Sequence, residues 1–200
     1  LSKICIVGSP CHIQSIRYLK HKGLPLASPV KLTIGLFCRE NYDYACLAEK
    51  VRTKGVDINQ ADKLDVSDEF NIHVGGKKLS LPITEVKSCV PGHCLVCQDF
   101  AAELADIAVG SGGSAEGWSM VIIRTEEGEK VFAGMEQREL IETKAPGHIF
   151  DIKEIAGRKK EKGKQTNEIF RLEEAGLGKE EIAAKLGITE ERVSHRLEGI

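Results

Sequence analysis

The sequence predicts an α/β fold: a partly parallel sheet with flanking helices and an added hairpin, then a small all-α, helix-turn-helix-like tail. Three observations carry this. Strand and helix patterns alternate with short turns over residues 3–54, the order that builds parallel sheets. A stretch that alternates on both sides of Gly75-Gly76 reads as a hairpin. From residue 151 the composition shifts, charges crowd together and three short amphipathic helices follow.

Taken in order, Lys3-Ile4-Cys5-Ile6-Val7-Gly8 is an apolar run that stops at Gly8-Ser9-Pro10. It reads as a buried strand, and the chain reads as a piece that begins in mid-fold. Ile13, Ile16 and Leu19 recur at helical spacing up to Gly23. "VKLTIGLFC", 30–38, is a second strand rich in β-formers, and a helix follows from about Tyr42 to Lys54. After the hairpin "FNIHVGGKKLSLPI", the stretch "SCVPGHCLVCQDF", 88–100, reads as a loop. "ADIAVGSGGSAEGWSMVIIRT" then gives two strands around a glycine- and serine-rich loop. Helix returns at about 129–141, after the turn Glu126-Glu127-Gly128. "KEIAGRKKEKGKQ" has no bulky apolar residue after Ile155 and reads as a solvated helix or linker. A boundary is expected near 158, separating a larger α/β domain, 1–157, from a linker and tail, 158–200. The tail helices break at Gly176-Leu177-Gly178 and at Gly187.

Two hundred residues suffice for a substantial core, and 42% hydrophobic content with a formal charge of −2 describes an ordinary soluble protein. Nothing in this balance is basic enough to suggest nucleic acid as the main ligand, and no apolar run reaches the length of a membrane span. With no export signal, a cytoplasmic location is expected.

Seven cysteines, at 5, 11, 38, 46, 89, 94 and 97, stand in this chain. In a reducing compartment they point to metal or redox chemistry and away from structural disulfides. Cys94-Leu-Val-Cys97 lets two thiolates point at one ion, a spacing shared by zinc sites, iron–sulfur clusters and thiol redox pairs. Cys11 follows the end of the first strand and Cys38 ends the second, so a parallel sheet brings both to one edge. Two plus two gives four thiolates, the complement of a [4Fe–4S] cluster; zinc remains the alternative, as does a redox pair at Cys94 and Cys97. Cys5 is expected in the core and Cys46 as a half-buried thiol on its helix, while Cys89 stays undecided between bystander and ligand.

"VGSPCHIQSIRYL", "IGLFCRENYDY" and "GHCLVCQDFAAELADIAVGSGGSAEGWSMVIIRTEEGEKVF" resemble the coenzyme F420 hydrogenase/dehydrogenase beta-subunit family, whose relatives include the beta subunit of archaeal formate dehydrogenase. The resemblance covers about residues 3–150. It implies an oxidoreductase component in which FAD passes electrons between the deazaflavin coenzyme F420 and a [4Fe–4S] cluster, and on to a hydrogenase, formate dehydrogenase or other redox subunit. It assigns the cluster to Cys11, Cys38, Cys94 and Cys97, and the flavin pocket to Gly8, Ser9, Pro10, His12 and Gln14 with the loop Ser111, Gly112, Gly113, Ser114 and Trp118. Glycine and serine in that loop allow close backbone approach and offer donors to a phosphate or flavin edge; Trp118 suits ring stacking. No side chain is assigned as acid or base.

The competing class is a zinc-knuckle regulator with a helix-turn-helix tail. Against DNA reading, the expected recognition helix opens with Glu190 and Glu191, and residues 165–200 hold eight acids against five Lys or Arg. The tail is expected to pack on its own chain or a partner, with no specific DNA binding.

Overall fold

A computed structural model describes residues 3–66 and 69–198. The outer ends of the two expected domains, residues 1–2 and 199–200, lie outside these. The chain divides into two compact units, Leu1–Arg39 with Cys97–Gly163, and Glu40–Val96 with Lys164–Ile200.

The first unit is built on four strands, β1 (Ile4–Gly8), β2 (Val30–Leu36), and the pair that the sequence places around the glycine-rich loop. Three strands of the second unit come between them in the chain, so this pair is numbered β6 (Ile107–Gly110) and β7 (Met120–Ile123). The order is β1-β2-β6-β7, parallel across the first three and antiparallel at the last. Gly8, Leu36 and Gly110 therefore end their strands at one carboxyl edge. Helix α1 (Pro10–His21) follows β1 and buries Ile13 against Ala102, Ala105 and Ala108. Ile107 and Val109 alternate with Ala108 and so face the opposite side of the sheet.

Asp106, only 4% exposed, ties this unit together at the strand starts. Its carboxylate accepts from the Thr33 amide at 2.8 Å and hydroxyl at 2.7 Å, from Arg17 at 2.7 Å and from Thr125 at 2.8 Å. Burial alone would raise this carboxyl, but the hydrogen bonds from Thr33, Arg17 and Thr125 outweigh it and hold the group below the usual carboxylate range.

Two expectations are corrected here. Helix α5 runs Glu126–Gln137 and so starts before 129: the Thr125 hydroxyl caps the Gly128 amide, and Glu126, Glu127 and Glu129 favour the helix's positive end. The first strand is also not buried. β1 is the edge strand, with Ile4 and Val7 exposed at 44% and 58%, and Cys5 is exposed rather than a core residue.

The second unit contains α2 (Tyr44–Thr53), then the antiparallel sheet of β3 (Lys63–Val66), β4 (Glu69–Val74) and β5 (Lys77–Pro82). The expected hairpin is β4 and β5. Gly75 and Gly76 turn it with φ of +54° and +77°, values that favour glycine. Strand β3 has no counterpart in the sequence pattern, because its short "KLDV" carries little alternation of its own. Leu47, Val51, Ile58, Phe70, Ile72, Leu81 and Val86 form the core. Two single-turn helices follow, α3 (Ile83–Val86) and α4 (Gly92–Leu95).

Helix α6 runs Ile149–Glu174 without a break, so the boundary expected near 158 falls inside it. Of the two readings of 153–165, a solvated helix or a linker, it is the helix that forms, and its start is anchored where Ile152, Ile155 and Ala156 pack with Phe100, Ala101 and Met120. Its last turns join α7 (Lys179–Leu186) and α8 (Glu190–Leu197) in a small core of Ile169, Leu172, Ile182, Ala183 and Val193. Among the described residues no helix is long and apolar enough to cross a membrane.

Candidate functional site

Of the four cysteines expected to act together, Cys11, Cys38 and Cys97 belong to the first unit and Cys94 to the second. None of the four is held in a disulfide; Cys11 is exposed and the others half-buried. Cys11 lies in the first turn of α1, behind Ser9 at the N-cap. The Ser9 hydroxyl does not cap the helix but lies 3.1 Å from Cys11 Sγ and 3.0 Å from His12 Nδ1.

Within the first unit, the segment 97–100 bonds to Cys38 and, through Asp99, to α1. The Cys97 thiol donates to the Asp99 carbonyl at 3.6 Å, and the Gln14 amide donates to the Asp99 carboxylate at 3.2 Å. The Cys38 amide donates to the Phe100 carbonyl at 2.9 Å. Within the second unit, Cys94 Sγ accepts from the Asn41 amide at 3.4 Å. Among the described residues, no group of three or more His, Cys, Asp or Glu is gathered so that it could hold a metal ion. The donor set fits a thiolate-held group in its chemistry, as four cysteines outside any disulfide.

Cys46 and Cys89 are joined by a disulfide, with Cα atoms 5.4 Å apart. This overturns the expectation of no structural disulfide. Cys46 is half-buried, but it is bridged and not a thiol, and the bridge removes Cys89 from the ligand candidates. The cause is tertiary. The Asp43 carboxylate caps the amide of Cys46 at the start of α2, while the Asp43 amide donates to the Cys89 carbonyl at 2.7 Å, which brings both cysteines within bridging range. Lys87 pairs with Glu40 beside them at 3.1 Å.

A cavity of about 1180 Å³ opens over the face of the first unit's sheet that carries Ile107 and Val109. Val121, Phe132 and Met135 add apolar wall. Gly113, Ser114 and Trp118 of the glycine-rich loop line it, whereas Ser111 and Gly112 do not. Gly8, Ser9, Pro10, His12 and Gln14 also lie outside its lining, gathered instead around the β1–α1 turn and its Cys11. The loop leaves β6 at the carboxyl edge, where open α/β sheets place their ligands.

The far wall is the segment 141–148, including Lys144, Gly147 and His148, which sequence reading did not single out. Lys144 Nζ stands 3.8 Å from the centre of the Trp118 ring. Pro146-Gly147 was the available signal, since such pairs mark turns. It gave no indication of what the turn would cross.

An open, partly parallel α/β domain with a glycine-edged cavity over one sheet face is the class that this geometry defines. The family formed by the C-terminal part of the coenzyme F420 hydrogenase/dehydrogenase beta subunit matches residues 1–148, and the chain belongs to it. The coenzyme F420-dependent sulfite reductase of Methanocaldococcus jannaschii is 34% identical over 154 residues, covering 70% of this chain and 24% of that protein. The coenzyme F420 hydrogenase subunit beta of Methanothermobacter thermautotrophicus is 31% identical over 189 residues, covering 88% of this chain and 66% of that one. The chain thus spans about a quarter and about two thirds of these relatives. A chain of the F420-reducing [NiFe] hydrogenase complex from Methanosarcina barkeri superposes with a TM-score of 0.77 at 28% identity, over 82% of this chain and 60% of that chain.

Proposed function

We propose that this chain is a redox component that links coenzyme F420 to a partner oxidoreductase subunit, with FAD in the cavity over the sheet and a [4Fe–4S] cluster on Cys11, Cys38, Cys94 and Cys97. One observation supports the flavin most directly: the cavity is edged by Gly113, Ser114 and Trp118, the loop for which family resemblance implies that role. A flavin supplies the exchange between two-electron hydride transfer and single-electron transfer. The chain's own residues bind and orient. Ile107, Val109, Val121 and Phe132 offer an apolar surface for a ring system, and Lys144 offers a cation for an anionic group. The four cysteines would hold the cluster, whose contribution is single-electron transfer. The partner is proposed to be a hydrogenase, formate dehydrogenase or reductase subunit, after the names of the relatives and the resemblance.

The test is metal and flavin analysis of the full chain purified without oxygen. Expected are iron, FAD, and broad absorbance near ~400 nm from thiolate–iron charge transfer. Serine at Cys11, Cys38, Cys94 or Cys97 is expected to lose iron, and Cys5→Ser to keep it. Bound flavin should bleach on adding reduced F420. A colourless protein with stoichiometric zinc and a salt-dependent nanomolar shift of duplex DNA would replace this reading with that of a regulator.

A further inference from the structure

We propose that Lys159 is a positioning residue that raises the reduction potential of the centre held at Cys38. The inference rests on the reading of Cys38 as a cluster ligand, and it concerns a residue beyond the stretch that the family matches. Lys159 Nζ donates to the Cys38 carbonyl at 2.6 Å, a short charge-assisted contact. The Cys38 amide is meanwhile committed to the Phe100 carbonyl, so the backbone of this cysteine is bonded at both its N–H and its C=O.

The delivery of Lys159 is built into α6. Ile155 and Ala156, which precede it by four and three residues, share its side of the helix and pack against the Phe100 cluster. The same packing carries the ammonium to Cys38. The neighbouring Lys160 is differently engaged, pairing with Glu103 at 3.5 Å. Among the described residues Lys159 forms no ion pair, and its hydrogen bond goes to a neutral carbonyl.

An uncompensated cation fixed beside a ligand's peptide favours the more negative, reduced state of a thiolate-held cluster. Potentials of such centres follow net charge and nearby hydrogen bonds. Removing the charge should therefore lower the potential without removing the ligand.

The test compares the full wild-type chain with Lys159→Gln and Lys159→Arg, each reconstituted without oxygen. Iron per chain, thermal midpoint and the reduction midpoint in a dithionite titration followed by electron paramagnetic resonance are measured. For Lys159→Gln, wild-type iron content is expected, with a midpoint lower by about 59 mV, a tenfold change in the reduced-to-oxidised ratio of a one-electron couple. Lys159→Arg should hold the wild-type midpoint. A fully loaded Lys159→Gln with unchanged midpoint overturns the inference and leaves the cluster reading standing. So does an arginine variant that shifts as far as glutamine, or a glutamine variant that loses its iron, which would make Lys159 a structural support only. Wild type that takes up no iron overturns the cluster reading itself.

Discussion

The amide of His148 donates to the carbonyl of Gly113 at 2.9 Å, and this bond closes the cavity by fastening the segment 141–148 across the glycine-rich loop. The crossing is too tight for side chains. A Cβ on Gly147 would stand 2.1 Å from the Gly113 carbonyl oxygen, and one on Gly113 would stand 2.6 Å from the His148 oxygen, at a φ of +72°. Gly147→Ala must therefore push the two segments apart. The expected cost is about 2 kcal/mol in a urea melt, as for other overpacked sites, with weaker flavin retention on gel filtration. Unchanged stability would show that the crossing yields easily.

Trp118 is half-buried at the cavity rim beneath Lys144. Its truncation should affect ligand more than fold. For Trp118→Ala, flavin affinity is expected to fall about tenfold, the upper range of an aromatic stacking contribution, while stability changes by less than about 1 kcal/mol. Fluorescence titration with FAD alongside a thermal melt separates the two; equal losses in both would make Trp118 a packing residue.

Asp106 gives the first unit a dependence on pH. Its carboxyl is depressed in the fold, so its stabilisation is present in full above the unfolded value near ~3.9 and is lost as pH falls through the lower folded value. Asp106→Asn should cost about 2–3 kcal/mol at neutral pH, since it leaves Arg17 and Thr33 without their charged acceptor. It should also flatten the acid limb of the stability profile below pH ~4. An acid limb identical to wild type would assign that sensitivity to other carboxylates.

The Cys46–Cys89 bridge closes a loop with a sequence separation of 43, which holds the whole three-stranded sheet of the second unit. Its reduction should destabilise that unit by about 4 kcal/mol on the chain-entropy scale for such a loop. Hydrogen exchange with and without a thiol reductant should show the loss in β3–β5 and leave β1, β2 and β6 protected. Protection lost equally in both sheets would mean that the bridge stabilises the whole chain.

Much of the architecture was legible in the sequence because it is local. Runs of β-formers, the Gly75-Gly76 turn and the helical spacing of the tail report backbone preferences that each segment carries by itself. Family membership was legible too, in "VGSPCHIQSIRYL" and the long block from Gly92, since such motifs are strings of residues. Pairings across distance were decided only by the tertiary structure. That Cys46 meets Cys89, that β1 lies at an exposed edge, and that residues 141–148 wall the cavity all depend on which surfaces pack together. Lys159 shows the difference most plainly. In sequence it is one charge in a basic run, and only the packing of Ile155 and Ala156 on the same helix turns it toward the carbonyl of Cys38.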